Sequence, residues 1–232
     1  MTLIANAGLM IECGGKKVLI DPLHDQKTPT FSSVTPAIAE RVLTAPEFAE
    51  PDIIIVTHKH PDHYSYALME KELARYPRAE LFAPFADFPR THVLTGDRME
   101  AEAAGVKLHF ARFEHEGQRY KNVSNYAVIL AFDGWRVLDV ADTKTGSEAL
   151  ADWAAEGHTD LAVLMFPWYM LHLARNEVDA VIRPDHIVLT HIPFAADDVE
   201  AFRPSIRRQL ERHPAAADLR VLTEPFQTEI FP

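Results

Sequence analysis

The chain has 232 residues, with 34 acidic against 23 basic side chains, a formal net charge of −11 and an apolar fraction of 47%. That composition excludes intrinsic disorder, sparse glycine excludes a collagen-like fibre, and the single cysteine, Cys13, excludes a disulfide scaffold. The acidic surplus opposes a nucleic-acid partner, whose phosphates are held through Lys and Arg, and no apolar window is long enough to span a membrane.

From the N-terminus, apolar runs at residues 3–12 and 17–20 read as strands joined by a Gly-centred hairpin turn at 13–16. Residues 25–36, rich in Thr, Ser and Pro, read as a long surface loop. A helix over 37–43, a strand at 53–57 and a helix over 66–76 follow. Strands are then expected at 80–83, 107–111, 126–132 and 136–140, the last two joined by the turn Asp133-Gly134-Trp135. A helix at 148–155 precedes strands at 161–165 and 187–190, and a final helix runs over 199–213. Asp197 is its expected N-cap, with Glu200 completing a capping box, and Pro204 interrupts the segment or marks a second helix start. Hairpins among alternating strands and helices exclude a purely parallel sheet and indicate a mixed α/β layered sandwich. No repeat or linker divides the chain, so one domain over 1–232 is expected. The opening run lacks a basic leader and ends at Glu12, which together with the lone cysteine points to the cytoplasm.

Histidine, the commonest metal ligand, occurs twelve times. The dense group is Thr57-His58-Lys59-His60-Pro61-Asp62-His63, directly after the apolar run 53–56 and thus at the carboxyl end of a buried strand, where α/β proteins place their sites. Histidines two apart in extended chain point the same way, so His58 and His60 can share one ion. Asp62 and His63 follow where the chain turns and can face a second.

His58-x-His60-x-Asp62-His63 resembles the signature of the metallo-β-lactamase-fold hydrolase superfamily. So do the opening strands from Asn6 to Glu12 and Val18 to Asp21-Pro22, the stretch from Gly96-Asp97 and Gly105 to His115, and the hairpin ending in Ala141-Asp142-Thr143. Ala141 there stands where the family's Gly-Asp-Thr motif has glycine. The strand His186 to His191 completes the order, and the likeness is strongest to the compact lactonase-like branch typified by ascorbate-6-phosphate lactonase. The resemblance implies an α/β (α+β) fold, a four-layer αβ/βα sandwich with two mixed β-sheets. It also implies that His58, His60 and His115 hold one divalent metal ion, that Asp62, His63 and His191 hold a second, and that Asp142 bridges them. His109 competes with His115, but it lies inside an alternating strand, whereas His115 lies at the strand's end where loops reach a site. Alternation leaves Asp139 and Asp142 equivalent; the Asp-Thr pair selects Asp142. Five imidazoles and two carboxylates suit Zn²⁺, with Mn²⁺ or Fe as alternatives. His24, Trp168, Tyr169 and His172 are candidates for the substrate cavity, and His92, His158, His186 and His213 read as structural or exposed.

The function so implied is a metal-dependent hydrolase in which a metal-bridged hydroxide, oriented by the catalytic Asp62, attacks a small ester-like substrate such as a lactone or phosphoester. A locally positive centre on an acidic chain suits a small anionic substrate, and a homo-oligomer is compatible with the sequence. The same fold with iron supports a second reading, a non-heme oxidoreductase of the persulfide-dioxygenase kind holding one ion. A nuclease is the least supported, because a basic surface and a nucleic-acid-binding insertion are both lacking.

Overall fold

The computed structural model describes residues 1–26 and 30–232, so Lys27, Thr28 and Pro29 of the expected surface loop lie outside the described residues. Among the described residues two sheets stand face to face. The first is six-stranded, in the order β1 (Thr2–Ala5), β2 (Gly8–Cys13), β3 (Lys16–Ile20), β4 (Ile53–Ile55), β5 (Glu80–Ala83) and β6 (His92–Val93). It is antiparallel from β1 to β3 and parallel from β3 to β6. The second is seven-stranded, formed by β7 (Arg98–Ala103), β8 (Val106–Phe113), β9 (Asn125–Phe132), β10 (Trp135–Asp139), β11 (Leu161–Met165), β12 (His186–Thr190) and β13 (Asp218–Val221). It is antiparallel from β7 to β10 and parallel from β10 to β13.

Side-chain alternation along these strands builds the layers. Leu9, Ile11, Val18, Ile20, Ile53, Ile55 and Phe82 face the second sheet, meeting Leu108, Phe110, Val128, Leu130, Val163 and Val188 in a central core. Their strand neighbours Met10, Leu19, Ile54, Val56 and Leu81 point the other way, onto α1 (Pro36–Thr44) and α2 (Tyr66–Arg75) through Ile38, Val42 and Met69. On the second sheet Ile129, Leu138, Ala162, Leu164, Ile187 and Leu189 likewise meet the outer helices. Those are α3 (Glu148–Ala154), α4 (Pro167–Met170), α5 (His172–Asn176), a π-helical turn at Glu177–Ile182 and α6 (Phe202–Arg212). The result is the four-layer αβ/βα sandwich with two mixed sheets that the sequence implies. No helix among the described residues is long and apolar enough to cross a membrane.

Three local expectations change. The run 3–12 is two strands, because Asn6 takes φ 52° and turns the chain into a hairpin in which Ala5 pairs with Gly8. A Cβ on Gly8 would lie 2.8 Å from the Asp21 carbonyl oxygen, so only glycine fits there. The last helix starts at Phe202, three residues later than its pattern indicates, and Asp198 rather than Asp197 accepts the Phe202 and Arg203 amides. Pro204 falls in the first turn, where its missing N–H leaves no bond unmade. The edge strands β6, β7 and β13 are half exposed, and their weak apolar pattern hides them in the sequence.

Direction decides where the site forms. β3 and β4 run parallel in the first sheet, while β8, β10 and β12 share one direction in the second. Their carboxyl ends deliver Asp21, the 57–63 loop, His115, Asp142 and His191, and the contacts among these residues show that both sheets deliver them to one edge of the sandwich.

Candidate metal centre

Two triads of ligand atoms gather at that edge. The nitrogens of His58, His60 and His115 lie within 4.8 Å of one another, and so do the ligand atoms of Asp62, His63 and His191. Between them stands Asp142, whose Oδ2 lies 3.4 Å from His63 Nε2, 3.5 Å from His115 Nε2 and 3.9 Å from His58 Nε2. Its Oδ1 lies 3.4 Å from His191 Nε2, so the one carboxylate faces both triads.

What lies behind the rings fixes how they present themselves. Asp21 Oδ2 accepts from His63 Nδ1 at 2.7 Å and from the Thr57 hydroxyl at 2.6 Å, while its Oδ1 accepts the Thr57 amide at 2.8 Å. Because the Thr57 hydroxyl donates to Asp21, it accepts from His58 Nδ1 at 3.0 Å. His115 Nδ1 donates to the Glu116 carbonyl at 2.7 Å. All three Nδ1 atoms are thus engaged from behind, which turns Nε2 of each ring inward. Ring nitrogens then approach closely: His58 and His115 Nε2 are 3.2 Å apart, and His63 and His191 Nε2 are 3.3 Å apart. Each such pair needs a proton or a metal ion between its lone pairs. The donor set, buried nitrogen and carboxylate oxygen, fits a borderline-hard divalent ion.

The electrostatics agree. Burial lowers the pKa of His58 and His60, keeping both rings neutral and ready to ligate. Burial also opposes charge on Asp142, but the His191 and His63 rings outweigh it and hold the carboxyl well below the ordinary range. For His63 burial again works against charge, yet Asp142 and Asp21 on either side raise its pKa well above normal. A metal ion arriving at His63 therefore displaces a proton. The backbone is bent to reach this arrangement, with Asp21, Ala141 and His191 at φ 45°, 50° and 60°.

The family model described as a β-lactamase superfamily domain matches residues 1–183. The chain belongs to that superfamily. It is 25% identical over 217 residues to a UPF0173 metal-dependent hydrolase of Thermococcus kodakarensis, covering 86% of this chain and 88% of the relative. Among solved structures it resembles a possible metal-dependent hydrolase of Veillonella parvula, at TM-score 0.72, 15% identity and 97% coverage of each chain. It also resembles Igni18, a metallo hydrolase of Ignicoccus hospitalis, at TM-score 0.67 and 19% identity, over 100% of this chain and 97% of the other. These two structural likenesses speak to the fold alone.

In this β-lactamase superfamily chain all seven expected ligand residues meet at one place. His109 does not: it sits mid-strand on β8, 3.4 Å from Glu100. Asp139 accepts the Ala141 amide instead of facing the triads, and its burial raises its pKa to about 7. The expected cavity residues are placed differently from their sequence reading. Trp168 and Tyr169 are fully buried in the outer core; the Trp168 indole donates to the Thr143 carbonyl and the Tyr169 hydroxyl to Asp179. The Trp168 indole thereby supports the Asp142 loop from behind. His172 is exposed on α5. His24 is 0% exposed and makes no hydrogen bond through either nitrogen; burial, reinforced by His63, pushes its pKa down to about 4. It is a buried, neutral ring that feels the charge of His63.

Several residues at the centre have no signal in the sequence. Asn6 donates to the Asp62 carbonyl at 3.2 Å and lies 3.3 Å from His191 Nε2. Asn125 accepts the Asp142 amide and donates to Thr143. Glu116 ties the third-histidine loop to the Asp142 loop by accepting the Gly117 and Thr145 amides. The Phe31 ring stands edge-on to His191 at 4.2 Å, and the Tyr120 ring stands edge-on to His60 at 4.7 Å, one at each triad.

Proposed function

We propose that this metal-dependent hydrolase of the metallo-β-lactamase superfamily works through two divalent ions and cleaves a small ester-like substrate, a lactone or phosphoester, of the kind the lactonase-like branch handles. His58, His60 and His115 would hold one ion; Asp62, His63 and His191 the other; and Asp142 would bridge them, with Zn²⁺ the favoured metal and Mn²⁺ or Fe the alternatives. The observation that carries the reading is the paired imidazole nitrogens at 3.2 and 3.3 Å on either side of one ionised carboxylate. Ions bound there would lower the pKa of a coordinated water toward neutrality and polarise the electrophilic oxygen.

The chain's own residues do the rest. Asp21 and Thr57 lock the orientation of the His63 and His58 rings, so the ligand geometry is set before substrate arrives. Asp62, at the edge of solvent and held by Asn6 through its carbonyl, is the carboxylate placed to orient the attacking water and move its proton. Phe31 covers the His191 side of the centre, and Tyr120 packs against His60 on the other.

Elemental analysis of the purified protein, followed by assays of lactones, phosphodiesters and thioesters with Zn²⁺, Mn²⁺ and Fe²⁺, tests this. Two ions per chain and turnover of an ester-like substrate are expected, with both lost in His58→Ala. Turnover by metal-free His58→Ala protein would overturn the reading. One iron per chain with oxygen consumption and no hydrolysis would replace it with the oxidoreductase.

A further inference from the structure

The loop after the third histidine carries a charge that nothing nearby neutralises. Residues Gln118–Tyr120 form a short 3₁₀ turn entered through Gly117 at φ 84°, where a Cβ would press to 3.3 Å of the Tyr120 ring. The turn is tightly held: the Tyr120 amide donates to the Gly117 carbonyl at 2.8 Å, the Val123 amide to the Tyr120 carbonyl at 2.8 Å, and Glu116 fastens its base to Thr145. This rigidity puts the Tyr120 ring against both His60 and His115, at centroid distances of 4.7 and 5.3 Å. His60 is half-buried while the other ligand side chains of the centre are buried, so the centre opens to solvent on the Tyr120 side.

On Tyr120 rests Arg119, its guanidinium carbon 4.6 Å from the ring centroid. Arg119 is exposed and pairs with no carboxylate among the described residues. Elsewhere Arg41, Arg98, Arg112, Arg203 and Arg220 each lie within 3.1 Å of an acidic side chain. Other arginines, such as Arg78, Arg183 and Arg212, also pair with no carboxylate among the described residues; what sets Arg119 apart is that it rests on a ring packed against two histidines of the centre. The ring contact restrains the guanidinium, and its fork matches an oxyanion in two-point contact, which a lysine in the same place would not.

We propose that Arg119, held by Tyr120, is the specificity-determining residue of the site: it binds an oxyanion, phosphate or carboxylate, carried by the substrate beside the bond that is cleaved. This rests on the hydrolytic reading above. The metals would engage the reacting group while Arg119 takes the non-reacting charge, so a neutral ester of the same size is the poorer substrate. Tyr120 is a positioning residue here, acting through Arg119.

Three esters of 4-nitrophenol test it on the Zn²⁺-loaded full chain: the neutral butyrate, the carboxylate-ended hemiglutarate, and an acyl ester ending in phosphonate. In Arg119→Gln the KM for the charged esters is expected to rise about tenfold or more, and the charged-to-neutral ratio of kcat/KM to fall by the same factor, with metal content unchanged. Tyr120→Leu should shift that ratio in the same direction by less, and Arg98→Gln, on the exposed β7 edge, should not move it. The ester that loses more identifies phosphate or carboxylate as the natural group. An unchanged ratio, or an equal loss on the neutral ester, overturns the proposal. If the wild-type protein turns over none of the three, the hydrolytic reading fails and binding decides the proposal: titration with inorganic phosphate and with glutarate should show at least tenfold weaker affinity in Arg119→Gln for one of them, and equal affinity for both overturns it.

Discussion

Two gatherings of histidine and aspartate sit at opposite ends of the second sheet, and their difference explains what turns such residues into a metal site. At the carboxyl ends of the strands lies the centre built on His58, His60, His63, His115 and His191. At the amino ends of β11 and β12 lie His158, Asp160 and Asp185, whose ligand atoms also fall within 4.8 Å of one another. By residue type and distance the outer group qualifies as well as the inner ones. In every other respect it differs. The His158 and Asp185 side chains are 61% and 58% exposed, and His158 Nε2 already lies 2.9 Å from the Asp185 carboxylate. Asp160 accepts the Arg136 amide, and the Arg136 guanidinium donates to the carbonyls of Ala154, Gly157 and His158 beside it. A cation would meet hydrated carboxylates, a ring that can reorient, and a fixed positive charge. At the inner centre four of the five rings are buried, the Nδ1 atoms of His58, His63 and His115 are engaged from behind, and Asp142 is held ionised. Burial and backing, rather than the ligand list, separate the two.

Burial can also produce the opposite state of a carboxyl, and Glu72 shows it. Glu72 on α2 is fully buried, both oxygens lack a hydrogen-bond partner, and burial, opposed weakly by Arg75, pushes its pKa from 4.5 up to about 7. With no imidazole beside it, it keeps a proton that Asp142 gives up. The folded state therefore binds more protons than the unfolded chain between pH 4.5 and 7, and stability falls as pH rises through that window. Glu72→Gln removes the effect. Relative to wild type the variant should gain about 3 kcal/mol of stability on going from pH 4.5 to pH 8, read from urea unfolding of metal-free protein. Parallel pH curves for the two proteins would show that Glu72 ionises freely in the fold.

The role of backing is tested by Asp21→Asn. The amide can still accept from Thr57 through its oxygen, but its NH₂ cannot accept the His63 Nδ1 proton. His63 then loses the acceptor that holds its Nε2 toward the centre. Metal affinity, measured by competition with a chromophoric chelator, should weaken about 10–100-fold. Asp185→Asn in the outer group should leave it unchanged. Equal affinity in Asp21→Asn and wild type would mean that the ligand list suffices, and the contrast between the two clusters would lose its explanation.

How far the sequence disclosed all this follows from the same contrast. His58, His60, Asp62 and His63 share one loop, so their convergence is local and readable from spacing. His115, Asp142 and His191 lie far apart in sequence and were legible through the family resemblance; strands running in one direction bring them to one edge. The layers were legible because strand residues alternate between the central core and the helices. Asn6 was hidden because its turn interrupts an otherwise continuous apolar run, and only its positive φ brings the amide to Asp62. Trp168 and Tyr169 were misplaced because a position just after a strand gives proximity to the site but not direction; α4 turns both rings into the core. Arg119 and Tyr120 carry no motif, and their place follows from the tight turn at Gly117.

The smallest effect concerns the backbone that presents Asp142. Ala141 holds φ 50°, the left-handed region that a Cβ disfavours by about 1–2 kcal/mol, and it does so where the resembled motif has glycine. Its amide donates to Asp139 at 2.8 Å, so the conformation is imposed by the turn that delivers Asp142. Ala141→Gly removes the strain, but glycine loses about 0.5–1 kcal/mol more conformational entropy on folding and gives up a buried methyl. These terms nearly cancel, so the variant should lie within about 1 kcal/mol of wild type. Ala39→Gly, inside α1 where the backbone is ordinary helix, has no strain to release and should be destabilised by about 1 kcal/mol for the lost propensity, with the lost methyl burial added. The informative quantity is the difference, about 1–2 kcal/mol in favour of the 141 site, measured by denaturant unfolding of metal-free protein. Equal losses at both positions would mean that the turn before Asp142 is relaxed, and that presenting its carboxylate from this sheet edge requires no strained backbone at residue 141.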